Sequence, residues 1–174
     1  MIKEMEENKV TYFASVKGGI VPTKDKENAG RDCYARIEEK DGVVEMLLPK
    51  LQVSKIPLGF ASYLDQRDML SINWERSSVG GLGVLVLSGL VDSTYQGEVI
   101  LQVVPLVHNI LITNQTDKIE FEEAIDTVLY PVSKAIAQAV VIEQSQAKDV
   151  EITYDELLSK PSQRGTGGWG STNK

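Results

Sequence analysis

Apolar residues in this chain fall in short runs separated by glycine, proline, asparagine and aspartate, rather than at the three- and four-residue spacing of an amphipathic helix. The runs predict strands over Val10–Val16, Cys33–Ile37, Val43–Leu48, Phe60–Leu64, Met69–Trp74, Val84–Leu87, Glu98–Val104, Val107–Thr113 and Ile136–Glu143. So many short strands imply an all-β barrel or sandwich. One stretch reads otherwise. Ala124, Ile125, Val128 and Leu129 are helically spaced with Pro131 as a stop just beyond, which predicts a short helix near 121–130. No internal repeat is visible. The polar, proline-containing Ser159–Gln163 separates a β domain, 1–158, from a flexible C-terminal arm, 159–174.

The chain has 174 residues, 42% hydrophobic and 25% charged, which suits one domain with a real core. A net charge of −7 argues against general nucleic-acid binding, so an anionic ligand must be held locally. A single cysteine, Cys33, excludes an internal disulfide, and with a single histidine, His108, the residues for an ordinary Cys/His zinc site are lacking. The N-terminal Met1–Lys9 is charged, and no run approaches the ~20 apolar residues of a membrane span. These features lead to the expectation of a soluble, intracellular, cytoplasmic protein without a membrane partner.

The last eleven residues, Arg164-Gly-Thr-Gly-Gly-Trp-Gly-Ser-Thr-Asn-Lys174, combine a guanidinium, glycines, a large aromatic and hydroxyls. Glycines 167, 168 and 170 allow backbone N–H groups to close on phosphate, Arg164 can hold phosphate bidentately, and Ser171 and Thr172 can donate to it. Trp169 offers a flat face for a base. Alone, such a segment reads first as a disordered polar tail.

Five segments in order give the tail its meaning. Asn28-Ala-Gly-Arg-Asp32, Arg76-Ser-Ser78, Gly89-Leu-Val-Asp-Ser-Thr-Tyr-Gln-Gly97, Ala135-Ile-Ala-Gln138 and Arg164–Thr172 together resemble the five motifs of the dUTP pyrophosphatase (dUTPase) family. The third and fifth are the specific ones. The resemblance implies a jelly-roll-like β-barrel, a homotrimer with shared active sites, and Mg²⁺-assisted hydrolysis of dUTP to dUMP and pyrophosphate.

It also implies roles for residues. Asp92 is the general base that activates water against the α-phosphorus, where the residues alone also allow an Asx-turn aspartate. Tyr95 packs under the deoxyribose and rejects a 2′-hydroxyl, where the alternative is a core aromatic. Backbone groups of the Gly89–Gly97 hairpin, including Leu90, read uracil. Arg76, Ser77 and Ser78 contact phosphate, or else form a surface turn. Gln138 contacts phosphate or makes a strand-to-strand hydrogen bond. Asp32 holds magnesium-bound water, with no direct protein ligand to the ion.

Departures from the family pattern are Arg31 where an aromatic is usual, Cys33 for an aliphatic residue, Ser78 for glycine, and a lengthened stretch over 119–134. Trp169 in place of phenylalanine keeps the stacking face. A competing reading is dCTP deaminase, or a bifunctional deaminase, on the same fold. The position of its catalytic glutamate is Gln102 here, and an amide cannot shuttle that proton. A third reading, from another class, is a dUTPase-like regulatory protein that binds a protein partner with nucleotide as the switch.

Overall fold

A computed structural model describes residues 9–73, 77–145, 147–163 and 165–166. The chain divides into two compact units, Met1–Gln144 and Ser145–Lys174. In the first, the strands are β1 (Tyr12–Ser15), β2 (Arg31–Cys33), β3 (Glu45–Leu48), β4 (Ser54–Pro57), β5 (Phe60–Tyr63), β6 (Asp68–Asn73), β7 (Val84–Ser88), β8 (Leu90–Val91), β9 (Ile100–Pro105), β10 (Asn109–Thr113), β11 (Glu120–Glu122), β12 (Thr127–Pro131) and β13 (Ala137–Glu143). A helical turn, α1 (Ser77–Gly80), follows β6.

The strands form four sheets among the described residues: β1–β5, β11–β12–β10–β3, β2–β13–β6–β8 and β4–β9–β7. The fold is thus the expected all-β, jelly-roll-like one, but the sheets do not close into a continuous barrel. Strand periodicity explains the core. Leu101 and Val103 on β9 and Ile110 and Ile112 on β10 point inward, while Ile100 and Gln102 do not. They pack with Leu48, Ile56, Leu58, Phe60, Leu64, Leu70, Ile72 and Tyr130, all essentially inaccessible. Each such side chain contributes about 1.5–3 kcal/mol on burial.

The short helix expected near 121–130 is not formed. Glu120–Glu122 and Thr127–Pro131 are strands joined by a single 3₁₀ turn, Glu123–Ile125. Asp126, at φ 48°, breaks any helical path. Two-sided pairing decides the outcome: β12 lies parallel to β10, with Ile110 opposite Val128, and antiparallel to β11, with Phe121 opposite Val128. Tertiary ladders override the local helical spacing. The predicted strand Cys33–Ile37 lies instead at Arg31–Cys33, because Arg31, Asp32 and Cys33 pair with β13. β4, β8, β11 and β12 went unpredicted.

The second unit carries α2 (Tyr154–Leu158), also unpredicted, opened by a reciprocal capping box between Thr153 and Glu156. None of its helical residues is buried.

Candidate active site

The third motif sits where the sequence puts a hairpin. β7 and β9 pair antiparallel, with a bulge between Val86 and Ser88, so residues 89–99 connect them. The connection is not a free loop. Leu90 and Val91 turn aside to pair with Ser71 and Leu70 of β6. Gly89 makes this possible, since a Cβ there would overlap the Ile72 carbonyl oxygen, and the Ile72 N–H donates to the Gly89 carbonyl at 2.6 Å.

Beyond Val91 the chain turns tightly. The Tyr95 N–H donates to the Asp92 carbonyl at 3.2 Å, and the Leu64 N–H to the Ser93 carbonyl at 2.8 Å. Asp92 is exposed and Tyr95 is 48% exposed. The Tyr95 hydroxyl donates to the Glu98 carbonyl at 3.4 Å, and the phenol fills the space a Cβ on Gly97 would need. Leu90, Val91, Asp92, Tyr95 and Glu98 line an open cleft of about 220 Å³.

Glu98 is a residue that sequence reasoning passed over. Arg36 donates to it in a fork, Nε to Oε1 at 2.7 Å and Nη2 to Oε2 at 3.1 Å, and the Gly59 N–H donates to Oε1 at 3.1 Å. The Arg36 hydrogen bonds hold the carboxyl below its usual range; partial burial opposes them and the Gly59 N–H adds to them. The available signal was a glutamate directly after Gly97, ahead of an apolar strand.

The phosphate-side candidates gather on the other strands of the sheet that β8 joins. Asp32, Gln138 and Asn73 stand opposite one another on β2, β13 and β6. Gln138 Nε2 donates to Asp32 Oδ1 at 3.1 Å across the strands, and Gly30 packs against the Gln138 side chain. The buried Tyr130 hydroxyl donates to the Ala135 carbonyl at 2.7 Å, fixing the turn that leads into β13. Asn73 leads to the second motif: Ser77 and Ser78 open α1, anchored by the buried Val79. Arg76, Arg164, Gly167, Gly168, Trp169, Gly170, Ser171 and Thr172 lie outside the described residues.

Two departures from the motif pattern have packing explanations. The Arg31 guanidinium lies 5.5 Å from the Phe13 ring centroid, a cation–π contact, and Cys33 is wholly buried in the core. Within one chain Gly89 borders the Asn73 end of this row, whereas the chain beyond Leu90 runs away from Gln138. Val91 is three ladder steps and two strands from Gln138, roughly 14 Å by standard sheet spacings.

No protein-family model matches the chain. Among solved structures, the dUTPase of Staphylococcus bacteriophage 80alpha with dUPNHPP superposes with a TM-score of 0.66 at 16% identity, over 95% of this chain and 99% of that one. The chain has the dUTPase fold. A second structure of that fold, a mutant dUTPase from phage phi11 of S. aureus described with a structural Mg(II) ion, gives a TM-score of 0.59 at 14% identity, over 83% and 99% of the two chains.

Sequence similarity agrees with the dUTPase resemblance read from the motifs. The deoxyuridine 5′-triphosphate nucleotidohydrolase of Buchnera aphidicola subsp. Schizaphis graminum is 30% identical over 95 residues, 53% of this chain and 57% of that protein. The Pol polyprotein of ovine maedi visna related virus (strain South Africa) is 30% identical over 161 residues, 92% of this chain but 12% of the polyprotein. The chain thus spans only part of either relative's length. No helix among the described residues of this dUTPase fold is long and apolar enough to cross a membrane.

Proposed function

We propose that this chain hydrolyses dUTP to dUMP and pyrophosphate, with Asp92 as the general base. The observation that carries the reading is the cleft of the third-motif loop, where an exposed carboxylate and the Tyr95 ring meet on a dUTPase fold. Asp92 takes the proton of a water as that oxygen forms its bond to the α-phosphorus, and pyrophosphate leaves. Tyr95, tethered by its hydroxyl, forms a wall against a 2′-hydroxyl. Backbone groups near Gly89 and Leu90 read uracil. Arg76, Ser77, Ser78 and Gln138 meet the phosphates, and Arg164 to Thr172 close over the nucleotide with Trp169 on the base.

The donor set suits a magnesium ion borne by substrate. Asp32 is a single carboxylate already bonded by Gln138, and no group of three His, Cys, Asp or Glu side chains able to hold a metal occurs among the described residues. Bound Mg²⁺ would offset phosphate charge, with Asp32 oriented toward its water shell. The phage phi11 neighbour is described with a structural Mg(II) ion, so Mg²⁺ is an ion that a protein of this fold accommodates. The ~14 Å between the Asp92 loop and the Gln138 row favours sites completed by other copies of the chain, as in a homotrimer.

A substrate panel of dUTP, UTP, dTTP, dCTP and dATP tests the reading, with pyrophosphate and ammonia both followed. Pyrophosphate from dUTP alone is expected. Ammonia from dCTP would instead support a deaminase, against which the neutral Gln102 argues. Absence of dUTP turnover in the presence of Mg²⁺ would refute the assignment.

A second, compatible role has its own support. The 80alpha neighbour is described in terms of phage dUTPases that control transfer of virulence genes. The lengthened region here adds β11 to a sheet edge and leaves Phe121 and Ile125 half exposed, a surface suited to a regulatory protein partner. Partner binding that survives Asp92→Asn and is lost on Phe121→Ser would support it.

A further inference from the structure

The loop that carries Asp92 and Tyr95 is held at both ends. At its start, β8 and Gly89 are sewn to β6. At its end stands Glu98, whose carboxylate accepts from Arg36 and Gly59, both outside the loop. Arg36 is fixed through its own N–H to the Pro57 carbonyl at 2.7 Å. Gly59, at φ +67°, lies backbone to backbone against Gly19 and accepts from the Val16 N–H at 2.8 Å. Immediately after Glu98, the Val99 N–H donates to the Phe60 carbonyl at 2.9 Å and the Val99 carbonyl accepts from Leu58 at 3.0 Å. The Glu98 carbonyl in turn holds the Tyr95 hydroxyl.

Glu98 shares the cleft with Asp92 but is ill suited to be the base. Oε1 accepts from both Arg36 and Gly59, Oε2 accepts from Arg36, and its side chain is only 16% exposed. Asp92, by contrast, is exposed to solvent. Resting on the dUTP reading above, we propose that Glu98 is a positioning residue. It clamps the third-motif loop to Arg36 and Gly59 and thereby fixes the Tyr95 wall that sets preference for deoxyribose over ribose. A displacement of about 1 Å at such a site can cost on the order of 100-fold in rate. A wall that moves also rejects the 2′-hydroxyl less well, so selectivity suffers along with rate.

The test compares Glu98→Gln with wild type, with the double variant Arg36→Gln/Glu98→Gln as a second chain free of an unpaired buried charge. Three quantities are read: thermal midpoint, hydrogen exchange of the Ser93–Gly97 amides, and the ratio of kcat/KM for dUTP over UTP. In both variants exchange over 93–97 should rise about tenfold or more. The dUTP/UTP ratio should fall about tenfold, with the double variant melting higher than Glu98→Gln. General destabilisation would lower activity toward both nucleotides without changing their ratio. Unchanged exchange, or a looser loop with a ratio within about twofold of wild type, overturns the proposal. If Glu98→Gln does not fold, the double variant decides. A wild-type protein without dUTP turnover would instead overturn the functional reading itself, while the exchange data would still report whether the clamp exists.

Discussion

Gly89→Ala is the sharpest structural test of how the third motif is placed. A Cβ at this position would overlap a backbone oxygen, that of Ile72, which cannot swing away as a side chain can. Either β8 moves off β6 or the Ile72 rung distorts. Overpacking of this kind costs about 1–3 kcal/mol, and losing the short Ile72-to-Gly89 hydrogen bond adds roughly 1 kcal/mol. For a chain of this size each kcal/mol lowers Tm by about 2–4 °C, so a fall of roughly 4–16 °C is expected. Because Asp92 lies directly beyond β8, dUTP turnover should fall by on the order of 100-fold. Gly81→Ala is the control. Nothing lies within 4 Å of its would-be Cβ and its φ is not positive, so its stability should stay within about 0.5 kcal/mol of the parent. Calorimetry with hydrogen exchange at residues 90–91 makes the comparison. If Gly89→Ala melts with the parent and the β8 amides remain equally protected, the account of how β8 is seated is wrong.

Further expectations concern chemistry, assembly and pH. Asp92→Asn should lower kcat about 100- to 10,000-fold while a non-hydrolysable dUTP analogue still binds, and turnover within about tenfold of the parent would remove Asp92 as the base. Chains carrying Asp92→Asn and chains ending before Arg164 should each be nearly inactive, yet mixed trimers should regain activity; proven mixing without recovery would refute shared sites. Because Glu98 is depressed below its ordinary value of 4.5 in the folded state, its pairing stabilises fully above that value, and the contribution is lost as pH falls through the lower folded value. Urea midpoints should therefore drop more steeply below about pH 4.5 for the parent than for Glu98→Gln, and parallel curves would contradict this.

What was legible in the sequence follows the range of the interactions involved. Alternation along Val99–Val104 identifies β9 because Leu101 and Val103 face the core, a fact written in adjacent residues. The turn at Asp92–Tyr95 is local and so was the glycine pattern that revealed it. By contrast, β4, Ser54-Lys-Ile-Pro57, buries only Ser54 and Ile56 and ends on proline, too faint a period to read. Thr127–Pro131 looked helical because its strand identity comes from β10 on one side and β11 on the other. Sequence left Gln138 open between phosphate and a strand partner; its bond to Asp32 spans 106 positions. The Arg36–Glu98 pair, 62 positions apart, could be seen only once the loop was folded back onto the β4–β5 turn.

The remaining question is how a chain of net charge −7 would take up the polyanion proposed as its substrate. Net charge acts weakly at distance, since the screening length is about 8 Å in physiological salt, so what matters is the cations near the phosphates. Several of the described cations are engaged elsewhere: Arg36 with Glu98, Arg67 with Asp65, Lys9 with Asp68 and Glu143, Lys118 with Glu120, and Arg31 on the Phe13 ring. Those pairings hold loops and strand ends rather than a ligand. On the proposed function, the guanidiniums of the second and fifth motifs, Arg76 and Arg164, are expected to carry a larger share of phosphate recognition than the composition suggests. On the same proposal, backbone N–H groups and a substrate-borne cation would supply the remainder, and neither alters the formal charge of the protein. A net negative charge is compatible with tight local binding, and it disfavours the extended polyanions of nucleic acids, which need many cations at once.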